Sequence, residues 1–410
     1  MKNTIVIFIM LFAFAIPQKV EAQTVNFYYD RAAARIKKKA YDEAIKDLKI
    51  VLSKDKHYAE AFHDLGVIYA IKKQKLEAVS YFTKALKIDP KYYSALLHRA
   101  ELYYDLNKKE EAKKDFSVVI SKKPKLVKAY EKRGFIYFED KDFDNALKDF
   151  DNAEKYHSKN ANVYYKRAHI YTDKKDLKKA VDDYTKALQF NPELIKAAYH
   201  RGVIYYKAHK YDLAIEDLKK AKKEFNDEES NMYLAHAYFR TKEYEKAIVY
   251  YSDIIKRFHC KDWEVFYNRG ICYMKQEKYT EAKKDFSKSI SYKKDNYNAY
   301  YRRAEVYKAL DKESMAMRDF TKVIHMDKRN PEPYFERGKY YWKSKQLKNC
   351  IEDMSLYIKK AKKKAKSEAY YLRGASYYLS NQKEEACYDF REAKKMNNKG
   401  ATEMYNKLCR

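Results

Sequence analysis

The sequence predicts an all-helical solenoid, and three observations carry that expectation. Five of the seven glycines, Gly66, Gly134, Gly202, Gly270 and Gly338, stand 68 residues apart, and the small residues Ala32, Ala100, Ala168, Ala235 and Ala304 fall midway, within one residue, so the period is 34 residues. Self-similarity at this spacing marks a stack of repeats, each burying its apolar face on the next. Segments such as YDEAIKDLKIVL, residues 41–52, place their apolar side chains on one stripe at the helical period, and no strand-like alternation occurs. Six prolines complete the pattern: Pro90, Pro124 and Pro192 sit at unit ends, which leaves helix interiors free of breakers.

Taken in order, residues 1–22 stand outside the period. Lys2 supplies a positive start, Ile5 to Ile16 are almost wholly apolar, and Val20-Glu21-Ala22 precedes Gln23. This pattern predicts a signal peptide cleaved after Ala22, and an exported bacterial protein, periplasmic or secreted. About a dozen apolar residues is short for a membrane span. No cysteine stands at the expected mature N-terminus to carry a lipid, and no other segment reaches transmembrane length. Eleven units follow over residues 25–400, starting at 25, 59, 93, 127, 161, 195, 228, 263, 297, 331 and 367. Residues 401–410, with Met404, Tyr405 and Leu408, are expected to form a helix capping the last unit. Gly400, outside the period, reads as a helix stop.

Within a unit the residues are specific. Repeat two carries Phe62, Leu65, Gly66 and Tyr69 on its first helix, Ala78, Phe82 and Ala85 on its second, and Pro90 at its close. Repeat four has Tyr130, Gly134, Tyr137, Ala146, Phe150 and Ala153 at the same places. This pattern of aromatic, small, Tyr, Ala, aromatic, Ala and Pro resembles the tetratricopeptide repeat signature. The resemblance implies a right-handed α–α superhelix of about eleven helix-turn-helix units, with a helix A and a helix B in each. Small residues at positions 8 and 20 let the two helices approach, and aromatics at positions 4, 11 and 24 fill the space around them.

One covarying pair supports the hairpin register. Position 7 is Arg in nine units (from Arg31 and Arg99 to Arg373), and position 23 is Asp in the same nine (from Asp47 and Asp115 to Asp389). The two exceptions change together, Leu65 with Tyr81 and Leu234 with Tyr250. Positions 7 and 23 are equidistant from a turn centred near position 15, so the pair is expected to form a bridge inside each unit, open to sharing with a neighbour.

The resemblance also implies where a partner would sit: positions 2, 5, 6, 9, 12 and 13 of helix A face a concave groove. Those positions hold Tyr165, Tyr199, His200, Tyr206, Phe239, Tyr267, Asn268, Tyr301, Arg302 and Trp342, with Phe335 and further aromatics in the same lines. Tyrosine offers large contact area with little entropy to lose, and an extended or helical peptide is the natural ligand of such a groove. The opposing reading, that position 5 only packs between helices, stays open. The family's carboxylate clamp is matched at Asn268 and Arg302 but not at Met232, His236 or Asn298, so chaperone C-termini are not implied.

Chemistry of other kinds finds little support. There is no P-loop, dinucleotide turn or HExxH, and the expected function is a non-enzymatic binding scaffold without cofactor. His63, His98, His169, His200 and His236 fall on groove positions, but helices about 8–10 Å apart and metal–nitrogen bonds near 2 Å argue against a metal. The net charge is +29, or +28 once Lys2, Lys19 and Glu21 are removed, and the densest basic run is Lys359–Lys366. Such a field attracts anions, so the alternative function is a module that binds polyanions or an anionic envelope surface; specific nucleic-acid binding is not expected. Of five cysteines, Cys350 replaces an alanine at position 20, a buried structural thiol, while Cys387 and Cys409 are placed to staple the C-terminal end in an oxidising compartment.

Overall fold

The computed structural model describes residues 24–222, 224–361 and 366–409. The expected signal peptide, Lys223, residues 362–365 of the basic run and Arg410 lie outside that description. Every regular element among the described residues is a helix. The chain divides into two compact units, one up to Ala197 and one from Ala198.

The first unit begins with α1 (24–37), followed by α2 (Tyr41–Lys54), α3 (Ala59–Ile71), α4 (Lys75–Ile88), α5 (Tyr93–Asp105), α6 (Lys109–Lys122), α7 (Val127–Glu139), α8 (Phe143–Lys155), α9 (Ala161–Asp173) and α10 (Leu177–Phe190). The division falls within α11 (Ile195–Lys207). The second unit continues with α12 (Tyr211–Ala221), α13 (Glu228–Arg240), α14 (Tyr244–Arg257), α15 (Trp263–Lys275), α16 (Tyr279–Tyr292), α17 (Tyr297–Ala309) and α18 (Glu313–Met326). It closes with α19 (Glu332–Lys343), α20 (Leu347–Ala361), α21 (Ser367–Leu379), α22 (Lys383–Lys395) and α23 (Lys399–Leu408). Within each unit, odd-numbered helices pair with the even-numbered helix that follows, and that helix packs on the next odd one.

The hairpin turns are built without glycine. At position 15 a lysine, asparagine or other polar residue takes a left-handed backbone, as Lys73 does at φ 61°. Two main-chain bonds close that turn, Lys73 N–H to the Ala70 carbonyl and Gln74 N–H to the Tyr69 carbonyl, both 2.9 Å. This is the Schellman arrangement that satisfies the last carbonyls of a helix.

Behind the turns, position 8 presses on position 24. A Cβ added to Gly66, Gly134 or Gly270 would meet the ring of Phe82, Phe150 or Phe286 at 2.7–2.9 Å. The six phenylalanines Phe82, Phe116, Phe150, Phe286, Phe320 and Phe390, with Tyr184 and Tyr251, are buried at position 24 and form the spine of the core.

The Arg–Asp pair is present and reaches further than one hairpin. Arg133 donates from Nε and Nη2 to both carboxylate oxygens of Asp149 at 2.8 and 2.7 Å. The same fork holds Arg99 to Asp115, Arg269 to Asp285 and Arg373 to Asp389. The remaining nitrogen, Nη1, crosses to the preceding helix B, where it donates to Thr83 from Arg99, Ser117 from Arg133, Ser287 from Arg303 and Thr321 from Arg337, at 2.8–3.2 Å. Arg167 finds Asp151 there instead, at 2.8 Å. One guanidinium thus joins three helices. The bond to Arg31 holds the Asp47 carboxyl below the usual carboxylate range. Where Leu65 and Leu234 replace the arginine, they are buried and the paired tyrosines stack instead, Tyr81 on Tyr69 at 5.0 Å and Tyr250 on Tyr238 at 5.5 Å.

At the C-terminus, Cys387 on α22 and Cys409 after α23 form a disulfide, with Cα atoms 5.6 Å apart. Cys350 is buried, and burial pushes its thiol up to about 11. One expectation is corrected: Gly400 does not stop a helix but lies in the first turn of α23. A Cβ there would sit 3.2 Å from the Tyr371 ring, so the glycine serves a close approach.

Two outcomes test this packing. Arg133→Leu alone, which strands a buried Asp149, should cost about 3–5 kcal/mol in denaturant unfolding. Adding Asp149→Tyr, the combination found naturally at Leu65 and Tyr81, should recover part of that loss; additive losses would refute the coupling. Gly134→Ala, forced against a phenylalanine ring, should lose about 1–3 kcal/mol, and more than Gly338→Ala, which meets the flexible end of Met354.

Candidate partner-binding face

Of the ten residues expected to line a groove, Tyr165 on α9 belongs to the first unit and the other nine to the second. All ten are half-buried. Their helices place them by period: positions 5, 6 and 12 of each helix A lie beside the stripe that packs on helix B, so one edge of each ring is enclosed.

The tyrosines at position 5 show this most clearly. Tyr165 lies 5.9 Å from Tyr184, Tyr267 5.9 Å from Phe286, and Tyr301 5.7 Å from Phe320, each against the position-24 ring of its own hairpin. Burial raises the pKa of Tyr165, and pushes Tyr301 up to about 12. The Tyr165 and Tyr301 hydroxyls are thus held in the protonated form, on rings whose rotamers the core has set. Phe335, read in the same line as open to ligand, is corrected: it is only 2% exposed, because the unusually large Tyr357 packs against it, tilted, at 4.9 Å.

The structure gathers the nine second-unit residues into smaller sets. Tyr199 stacks on Phe225 at 4.7 Å and meets the His200 ring edge-on at 5.4 Å, and burial pushes its hydroxyl up to about 12. Tyr206 bonds His236 Nδ1 at 3.3 Å and packs on Tyr233 at 5.1 Å, joining α11 to α13. Tyr267, Asn268, Tyr301 and Arg302 form the most continuous set, since α15 and α17 touch. There the Arg302 guanidinium reaches the Tyr267 hydroxyl and Glu305 Oε2, the latter at 2.8 Å. Phe239 rests against Tyr244 at 6.3 Å, and Trp342 packs against the buried cluster of Ala375, Ala386 and Phe390.

Sequence reasoning missed several partners. Lys166 of the first unit lies 4.3 Å over the Phe138 ring, and burial lowers its pKa. The strongest omission is also in the first unit, where His63, on α3, meets residues of α5. His63 Nε2 is 3.3 Å from His98 Nδ1 and 3.1 Å from Ser94 Oγ, while its Nδ1 is 3.0 Å from Asp64 Oδ1. Only the repeat register, which puts residues 63 and 98 on adjacent helices, signalled this contact.

Comparison with known proteins gives the following. Models of the tetratricopeptide repeat match residues 59–92, 94–125, 161–194, 199–259, 263–296 and 297–330. No curated protein matches significantly. Among solved structures, the chain is similar to yeast Tom70 at 16% identity, covering 88% of this chain and 97% of that one, with a TM-score of 0.35. A tetratricopeptide repeat protein from Parabacteroides merdae shows 22% identity over 60% of this chain and 97% of its own, with a TM-score of 0.35. YrrB, described as having an unusual peptide-binding site, shows 17% identity, 54% and 97% coverage, and a TM-score of 0.34.

The buried histidines set a pH dependence. Burial lowers the pKa of His98, with His63 adding to it, and burial likewise lowers that of His236. A group depressed in the folded state favours unfolding as it protonates, so this contribution is complete above the ordinary histidine value and is lost as pH falls through the folded one. The melting temperature should fall from pH 7.5 to 5.5 more steeply in the unsubstituted chain than in His98→Gln. Equal slopes would refute the assignment.

Proposed function

Because the chain belongs to the tetratricopeptide repeat family, we propose that it is a non-enzymatic protein–protein interaction scaffold, holding a peptide or protein segment against its helix-A face within a periplasmic or secreted complex. One observation carries the reading: tyrosines at position 5 are anchored on the core yet remain part-exposed, with hydroxyls and the Arg302 guanidinium beside them. Rigid aromatic surface with adjacent hydrogen-bonding groups is what interface cores are made of. The groove set is Tyr165, Tyr199, His200, Tyr206, Phe239, Tyr267, Asn268, Tyr301, Arg302 and Trp342, with Tyr267 to Arg302 at its centre. Export by a signal peptide cleaved after Ala22 belongs to the same proposal.

The charge of +29 favours a second reading, a module held on an anionic envelope surface by its basic flanks. No described helix is long and apolar enough to cross a membrane.

Affinity capture from a cell-envelope extract separates the two. Baits are the unsubstituted protein and a folded variant with Tyr199, His200, Tyr267 and Tyr301 changed to Ala, each at about physiological salt and several times higher. The scaffold reading expects a protein partner that survives high salt and is lost at least tenfold from the variant. Capture abolished by salt equally for both baits would refute it and leave the basic surface as the binding element.

A further inference from the structure

We propose that His63 and His98 of the first unit form a binding site for a borderline divalent transition-metal ion, with Zn(II) as the reference ligand. The inference is independent of any partner on the second unit.

The geometry begins with one orienting carboxylate. The Tyr29 hydroxyl donates to Asp64 Oδ2 at 3.1 Å, and Asp64 Oδ1 sits 3.0 Å from His63 Nδ1. A carboxylate there holds the proton on Nδ1, so Nε2 presents its lone pair away from Asp64. A carboxylate behind a histidine is the usual outer support of a metal-binding imidazole. Facing Nε2 are His98 Nδ1 at 3.3 Å and Ser94 Oγ at 3.1 Å.

Those separations are the decisive observation. Two nitrogens bound to one tetrahedral zinc at about 2.0–2.1 Å lie about 3.3–3.4 Å apart. The imidazole nitrogens therefore stand at the spacing of a tetrahedral edge, and an ion bound there would replace the single proton they share. Imidazole is a preferred donor for Zn(II) and Cu(II). Both rings are set by packing: His63 lies 5.6 Å from Phe82 and 5.0 Å from Tyr92, and His98 lies 5.6 Å from Phe82. The charged groups facing the pair are Asp64, Glu101 and Lys128, the last two bonded to each other at 2.6 Å. Among the described residues no three His, Cys, Asp or Glu side chains converge. The site thus supplies two strong donors and leaves the other positions to Ser94, water or an incoming ligand.

Isothermal titration of the full chain with Zn(II) at pH 7.5 tests this. One ion per chain is expected to bind saturably, with affinity falling at pH 5.5 as protons compete for the same lone pairs. His63→Gln and His98→Gln should each weaken binding at least tenfold, Asp64→Asn by about tenfold, and His209→Gln, in a turn of the second unit, should leave it unchanged. Absence of saturable binding, or undiminished affinity in both His63→Gln and His98→Gln, would overturn the site. Circular dichroism checks that the variants fold. Should they not, electron paramagnetic resonance of the unsubstituted chain with one equivalent of Cu(II) decides: two coordinated imidazole nitrogens support the site, and fewer overturn it.

Discussion

A charged side chain pressed between packed helices needs polar partners, and the arginine at position 7 finds them by joining three helices. Two of its nitrogens are spent inside the hairpin, on the aspartate of helix B. The third donates to the hydroxyl or carboxylate on the preceding helix B, as Arg99 does to Thr83. The residue thus ties its hairpin to the one before it, and Arg31, with no preceding hairpin among the described residues, makes the fork alone. A partly buried ion pair adds little net stability over an apolar pair of like volume, and the chain uses such an apolar combination at Leu65 and Tyr81. Small residues at position 8 and rings at position 24 then set how closely the paired helices lie.

The anchored tyrosines follow from this rigidity. With the helix pair fixed, a position-5 ring has one edge on the core and one edge outward, and its rotamer entropy is spent on folding rather than on binding. Tyr267, Asn268, Tyr301 and Arg302 occupy touching helices and form a coherent surface. The half-buried state of these residues reconciles the two sequence readings: each ring is both packing and surface.

How much was legible in the sequence depended on whether a signal recurred. The period, the Arg–Asp pairing and the small residue at position 8 repeat along the chain and could be read directly. The crossing bond was equally legible and went unread. Position 25 is Thr83, Ser117, Asp151, Thr185, Ser252, Ser287, Thr321 or Ser355 before units that carry the arginine, and Lys49 or Lys219 before the two that lack it. What occurs once could not be read. The burial of Phe335 depends on Tyr357 standing where other units have small or aliphatic residues, and the role of Gly400 depends on the Tyr371 ring. The approach of His63 to His98 depends on side-chain rotamers that helix spacing alone does not determine.

The two arginine-free units have a consequence for how the stack is held together. In a linear array, cooperativity is carried by the coupling between neighbours rather than by each hairpin alone. The junctions entering α3 and α13 lack the guanidinium that elsewhere crosses to the preceding helix, and their Tyr–Tyr stacks lie within a single hairpin. Coupling at these two seams therefore runs through other contacts, such as the Tyr29 hydroxyl on Asp64 before α3. Register there is written by packing and by two leucines rather than by a shared charge.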